Sequence, residues 1–327
     1  MKKYDFTYVL KKIMDSDFSA QPFKHIYIEN LFSEIHFKEI INSTEITCPK
    51  AINDKELIDG LIDKGFNPID FPGSVTDIKK YIDWHENGKK SDIHSACEGF
   101  GMVLRLYNFQ SEILRELNEF LKSPSFNKVI AQKFGINFEE CIIDGGIQKY
   151  LDGYEISPHP DIRKKAATFM VNINPSSESE NMNHHTQYLK FKESYTYVKE
   201  FWAGNKHIDR AWVPWSWTKS EKQQTKNNSI VLFSPDNDTI HGVKSDYNHL
   251  LTQRTQLYGN LWHKTNSTTS NLEWEDLDLC SPNKLVKKQD KNVIKQKLKM
   301  MLSSSLKSKI KNFIKTSEAS NVGKRNV

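Results

Sequence analysis

Between residues 141 and 263 the apolar positions come in short runs separated by turn residues, whereas before residue 140 they recur at helical spacing. Cys141-Ile142-Ile143 leads through Gly145-Gly146 into residues 147–151, Asp152-Gly153 marks a turn, and residues 156–161 follow. Residues 166–173 (AATFMVNI) are almost continuously apolar, carry β-branched side chains and end at Asn174-Pro175, the pattern of a buried strand. Residues 229–234 (SIVLFS) form another such run, stopped by Pro235-Asp236-Asn237-Asp238. Residues 239–243 open a further strand and residues 254–263 (RTQLYGNLWH) close the series. On that last strand Arg254, Gln256 and Tyr258 share one face, because strand side chains alternate.

The first half predicts helices. Ser33 can cap one running through His36, Ile40 and Ile41, and Ser74 another with Ile78, Tyr81, Ile82 and Trp84 on its apolar side. From Ser111 onward, Ile113, Leu114, Leu117, Phe120 and Leu121 fall at helical spacing, and Ser123-Pro124 starts a further helix through Val129 and Ile130. Near the C-terminus Ile294, Leu298, Met301, Leu302, Leu306, Ile310 and Phe313 recur every three or four residues. Lysines lie largely on the other side, which predicts a basic amphipathic helix suited to a membrane surface or a protein partner.

Candidate chemistry sits among the strands. Prolines flank His159 and forbid a helix there, so His159 and Asp161 in an extended segment point to one side. Two imidazoles and one carboxylate, completed by His241, can hold a ferrous ion and leave its opposite face open to oxygen. Arg254 adds a fixed cation for the far carboxylate of a keto acid. His184-His185 are expected in a polar loop or at the start of a strand over residues 186–191, where adjacent residues face opposite ways and do not chelate together. Trp215 and Trp217 are expected on one strand face as packing residues, or as a stacking surface for a ring-bearing substrate.

The ordered set Tyr150-x-x-Gly153 before His159-x-Asp161, Leu232-Phe233-Ser234 before His241-Gly242-Val243, and Arg254 before Leu257 and Trp262 resembles the Fe(II)/2-oxoglutarate-dependent oxygenases, prolyl-4-hydroxylase-like branch. The stretch 26–33 also resembles the lead-in of that branch. The resemblance implies an α+β fold: a double-stranded β-helix (jelly-roll) core buttressed by N-terminal helices, with a basic helical C-terminal tail. It implies His159, Asp161 and His241 as iron ligands, Arg254 on the distal carboxylate of 2-oxoglutarate and Tyr150 as a further co-substrate contact. Hydroxylation with release of succinate and carbon dioxide would follow, and ascorbate enters as a reductant. Two departures are a long aromatic insert at 181–228 and extra residues between His241 and Arg254. The expected division is a mainly helical support over 1–140, the oxygenase core over 141–265, and the basic tail over 266–327.

Composition narrows the partners. Cys48, Cys97, Cys141 and Cys280 show no framework spacing, so a reduced, cytoplasmic setting is expected. No signal peptide or bilayer-spanning run is evident. Residues 284–327 carry twelve lysines and one arginine against Asp290 and Glu318, while the whole chain has a net charge of +5. The basic excess therefore lies in the tail, and no nucleic acid is expected in the core. Expected partners are O2, a small-molecule or glycan-type substrate such as a nucleotide-sugar intermediate, or a protein side chain, with membrane-surface or protein docking through residues 284–327. The competing class is a non-catalytic metal-binding jelly-roll module docked by that tail.

Overall fold

The computed structural model describes residues 3–47, 49–87 and 100–265. The predicted tail helix lies outside the described residues. In chain order the helices are α1 (Tyr8–Asp15), α2 (Glu34–Ile41), α3 (Asp54–Asp63), α4 (Ile78–Glu86), α5 (Glu112–Leu121), α6 (Pro124–Phe134) and α7 (Tyr197–Gly204). The strands are β1 (Ile26–Ile28), β2 (Phe66–Pro68), β3 (Val103–Leu106), β4 (Cys141–Tyr150), β5 (Glu155–His159), β6 (Lys165–Asn172), β7 (Gln187–Phe191), β8 (Thr218–Gln223), β9 (Ile230–Phe233), β10 (His241–Lys244) and β11 (Arg254–His263).

Two antiparallel sheets result. One has seven strands in the order β1-β9-β6-β11-β4-β3-β2, the other four in the order β5-β10-β7-β8. From β4 onward the chain passes back and forth between the sheets, so sequence neighbours such as β4 and β5 lie in different layers. Three strands from the N-terminal region (β1, β2, β3) extend both edges of the larger sheet. Residues 187–191 and 218–223, inside the aromatic insert, supply half of the smaller one.

Strand β6 is buried on both faces, and period-2 alternation explains how. Ala167, Phe169 and Val171 join the large core shared with the helices, where Phe169 meets Phe126 of α6 edge-on at 5.3 Å. Thr168 and Met170 line the cavity on the opposite face. Strand β11 divides likewise: Leu257 and Leu261 enter the helix-side core, while Arg254, Gln256, Tyr258, Asn260 and Trp262 line the cavity. Between them, a Cβ on Gly259 would stand 2.2 Å from Phe169 Cζ, so close packing of that ring requires glycine.

Helix starts follow local capping. Ser33 accepts from the His36 amide and Ser123 from the Phe126 amide, as their sequence contexts predict. Ser74 does not cap α4; Asp77 does, accepting from the Lys80 amide. The Ser74 hydroxyl instead binds the carbonyls of Ile69 and Phe71 within its own turn. Trp215 and Trp217 likewise share no strand face, because residues Trp215–Trp217 form a single 3-10 turn after Pro214. Trp215 Nε1 donates to Glu155 Oε1 at 2.7 Å, and Trp217 stacks on Tyr195. Among the described residues no helix is long and apolar enough to cross a membrane.

Candidate metal centre and its cavity

Strand β5 ends at His159, whose Cα pairs with that of His241 at the head of β10. Their ring centroids are 4.5 Å apart. Asp161 follows two residues on, and the ligand atoms of the three side chains lie within 4.8 Å of one another. All three are buried. The back nitrogens decide what the rings can do. His159 Nδ1 lies 2.8 Å from the Ser157 carbonyl oxygen, and His241 Nδ1 lies 2.9 Å from that of Thr239. A carbonyl can accept but not donate, so Nδ1 carries the hydrogen in both rings and each Nε2 keeps its lone pair. Burial, then the neighbouring His241, pushes His159 down to about 3; burial also lowers His241. Both imidazoles are therefore neutral near pH 7, the form that binds a metal.

Asp161 is held ionised. Burial would raise its pKa, but the Lys165 ammonium and then the two imidazoles outweigh it, leaving the carboxyl below its ordinary range. Lys165 Nζ donates to Asp161 Oδ1 at 2.5 Å and Thr168 Oγ1 to Asp161 Oδ2 at 2.6 Å. Sequence reasoning missed Lys165, which reads as the end of a solvated Arg163-Lys164-Lys165 run. The cause is visible in the register: an irregularity where Trp262 pairs with Lys165 and Leu261 with Ala167 breaks the alternation and turns the lysine into the cavity.

His159, Asp161, His241, Arg254 and Tyr150 line one cavity of about 350 Å³. Arg254 is 2% exposed. Its Nη2 donates to Thr186 Oγ1 at 2.8 Å and Gln256 Oε1 at 3.0 Å, and the guanidinium lies 4.5 Å over the Tyr150 ring. Nη1 is buried without a hydrogen-bond partner, and no carboxylate among the described residues pairs with this cation. Tyr150 is buried too, which raises its pKa and keeps the phenol protonated. The Gln148 amide satisfies both its ends when its oxygen accepts from Arg105 and its nitrogen donates to Tyr150 Oη. In that orientation the phenol hydrogen is free for a ligand.

His184 and His185 lie in the loop before β7, one of the two expected placements, but are buried. Their ring centroids are 4.6 Å apart. Burial and then Arg254 push His184 down to about 2 and His185 down to about 4, so both are neutral.

A second set has the same residue types. Asp54 of α3, His85 of α4 and His249 between β10 and β11 also bring ligand atoms within 4.8 Å. Here the hydrogens point the other way. His249 Nδ1 accepts from the Asp152 amide at 3.0 Å, so Nε2 carries the hydrogen and donates to Asp54 Oδ1 at 2.8 Å. His85 places Nδ1 2.6 Å from Asp54 and Nε2 2.8 Å from Asp152. Burial lowers its pKa, yet the bonds to Asp152 and Asp54 prevail and lift it to about 9. Neither ring offers a lone pair to a metal. The cluster is an ion-pair network tying α3 and α4 to the turn after β4.

No protein-family model and no curated protein matches the chain. Solved structures do. A prolyl-4-hydroxylase from Pseudomonas putida is similar over 79% of this chain and 99% of its own, at 9% identity and a TM-score of 0.40. A Trichoplax adhaerens prolyl hydroxylase, solved with a hypoxia inducible factor oxygen degradation domain peptide fragment, is similar over 79% of this chain and 89% of its own, at 10% identity and a TM-score of 0.39. An oxidoreductase of the 2OG-Fe(II) oxygenase family from Burkholderia pseudomallei covers 68% of this chain and 98% of its own, at 9% identity and a TM-score of 0.28. The resemblance in structure is thus to prolyl-4-hydroxylases and 2OG-Fe(II) oxygenases. What this chain can do chemically is set by its own side chains.

Proposed function

We propose that this protein is an Fe(II)- and 2-oxoglutarate-dependent dioxygenase on a double-stranded β-helix core, hydroxylating a small metabolite, a glycan or nucleotide-sugar intermediate, or a protein side chain. One observation carries the reading. Two imidazoles with aimed lone pairs and an ionised carboxylate share their cavity with a buried guanidinium that has no carboxylate partner. An unpaired buried cation is costly, and an anionic ligand relieves that cost. Bound here, iron would supply oxygen activation coupled to decarboxylation of 2-oxoglutarate to succinate and carbon dioxide.

The residues divide the remaining work. His159 Nε2, His241 Nε2 and an Asp161 oxygen hold the metal, while Ser157, Thr239 and Thr168 fix their orientation. Arg254 takes the distal carboxylate, braced by Thr186 and Gln256, and the Tyr150 phenol donates a second hydrogen bond to the co-substrate. Met170 and Tyr258 line the same cavity. The purified full-length chain supplied with Fe(II), 2-oxoglutarate and O2 should form succinate, and His159→Ala should not. Metal binding without succinate formation would leave the non-catalytic metal-binding module as the correct reading.

A further inference from the structure

We infer that Lys165 is a resident counter-cation of the metal-site carboxylate, whose fixed charge opposes the divalent ion and makes its binding depend on a dianionic co-ligand. The inference rests on the metal centre proposed above and concerns a residue outside its ligand set. Lys165 is a positioning residue: its ammonium occupies Asp161 Oδ1 and acts on the metal through that carboxylate.

The geometry puts the lysine and the ion on one oxygen. Thr168 takes Asp161 Oδ2, whereas Lys165 takes Oδ1, the oxygen 3.9 Å from His241 Nε2. Side-chain exposure is 11% for the lysine and 3% for the aspartate, so solvent screens this pair little. Tyr258 Oη, at 2.9 Å, is the other polar group on the ammonium.

Charge balance follows from the cavity lining. Asp161 is already compensated by Lys165, Asp144 is paired with Arg105 at 3.2 Å, and Asp70 and Arg210, which also line the cavity, offset each other in charge. Arg254 is not compensated. A divalent cation therefore enters a pocket that already holds excess positive charge, and in a buried setting such charges repel across several ångströms. A dicarboxylate that joins Arg254 removes two of those charges. Metal and dicarboxylate then favour each other, and the coupling is reciprocal.

Mn(II), which probes the site without oxygen chemistry, can be titrated calorimetrically into the full-length chain with and without 2-oxoglutarate. In the wild type, 2-oxoglutarate should tighten Mn(II) binding. Lys165→Met should bind Mn(II) alone roughly tenfold or more tightly than wild type, because a nearby cation has gone. The gain from adding 2-oxoglutarate should shrink in the same variant. Lys165→Gln, which keeps a donor to Asp161 but no charge, should behave like Lys165→Met and serves if the latter does not fold. Lys165→Arg should return to wild-type affinity, a rescue that loss of packing alone does not predict. Unchanged or weaker Mn(II) binding in a folded neutral variant overturns the role of Lys165 and leaves the metal centre standing. A wild type that binds no Mn(II) overturns the metal centre, and this inference with it.

Discussion

The His159–Asp161–His241 and Asp54–His85–His249 clusters contain identical residue types within the same 4.8 Å reach, yet their chemistry is opposite. In the first, backbone carbonyls stand behind the rings, force the hydrogen onto Nδ1 and leave Nε2 bare. In the second, a backbone amide stands behind His249 and two carboxylates bracket His85, so every ring nitrogen faces a hydrogen-bond or ion-pair partner. A composition of ligands does not decide whether a metal can bind; the group behind each imidazole does.

The sharpest way to break this comparison is to count metal. His159→Ala, Asp161→Ala and His241→Ala should each weaken divalent-metal binding by roughly a hundredfold or more, exceeding the 10–100-fold usual for a supporting partner. His85→Ala and His249→Ala should retain one ion per chain after dialysis, measured by elemental analysis. An ion lost from the His85 variant with the fold intact would make the second cluster a metal site after all.

Next in size is Arg254, proposed to hold the co-substrate beside the first cluster. Arg254→Ala should weaken 2-oxoglutarate binding by roughly 30-fold or more, since breaking a buried charge pair costs about 2–5 kcal/mol, with Mn(II) affinity for the free protein no weaker. Equal 2-oxoglutarate affinity in both proteins would assign the carboxylate to another residue.

The second cluster should speak through stability instead. His85 is lifted from its ordinary 6.5 to about 9 in the folded chain, so folding retains a proton that unfolding releases. Its contribution is fully present below pH 6.5 and lost as pH rises through 9. Denaturant unfolding should show the wild type losing on the order of 2 kcal/mol more than His85→Gln across that window. Parallel curves for the two proteins would mean that His85 is not charged in the fold.

Smallest of all is the expected effect of removing residues 284–327. Mn(II) affinity and succinate formation should be unchanged, whereas retention on anionic vesicles should fall. A loss of turnover would place the tail in the catalytic machinery.

Much of the first cluster is legible in the chain, because two of its three ligands are local. His159 and Asp161 are two residues apart between prolines, and alternation alone sends Arg254, Gln256 and Tyr258 to one face of β11. The second cluster is not legible: Asp54 and His249 are 195 residues apart and meet through tertiary packing. Lys165 escaped for a subtler reason, since a register irregularity reverses the side its position would otherwise face. Strand β8 (TKSEKQ) escaped because it is an edge strand with exposed polar positions and so lacks an apolar run. Trp215 and Trp217 suggested alternation, but Pro214 begins a turn there instead.

Strands β6 and β11 each have hydrogen-bonded neighbours on both sides and little exposed surface, unlike the edge strand β8. Amide hydrogens there should exchange with solvent deuterium only when the whole domain opens, whereas those of β8 should exchange through local fraying. A ligand bound in the cavity stabilises the closed state by RT ln(1 + L/Kd), where L is the free ligand concentration. The amides of Thr168–Val171 and Gln256–Leu261 should therefore slow by that whole amount, which makes the interior of the sheet a built-in gauge of occupancy that needs no knowledge of what the ligand is.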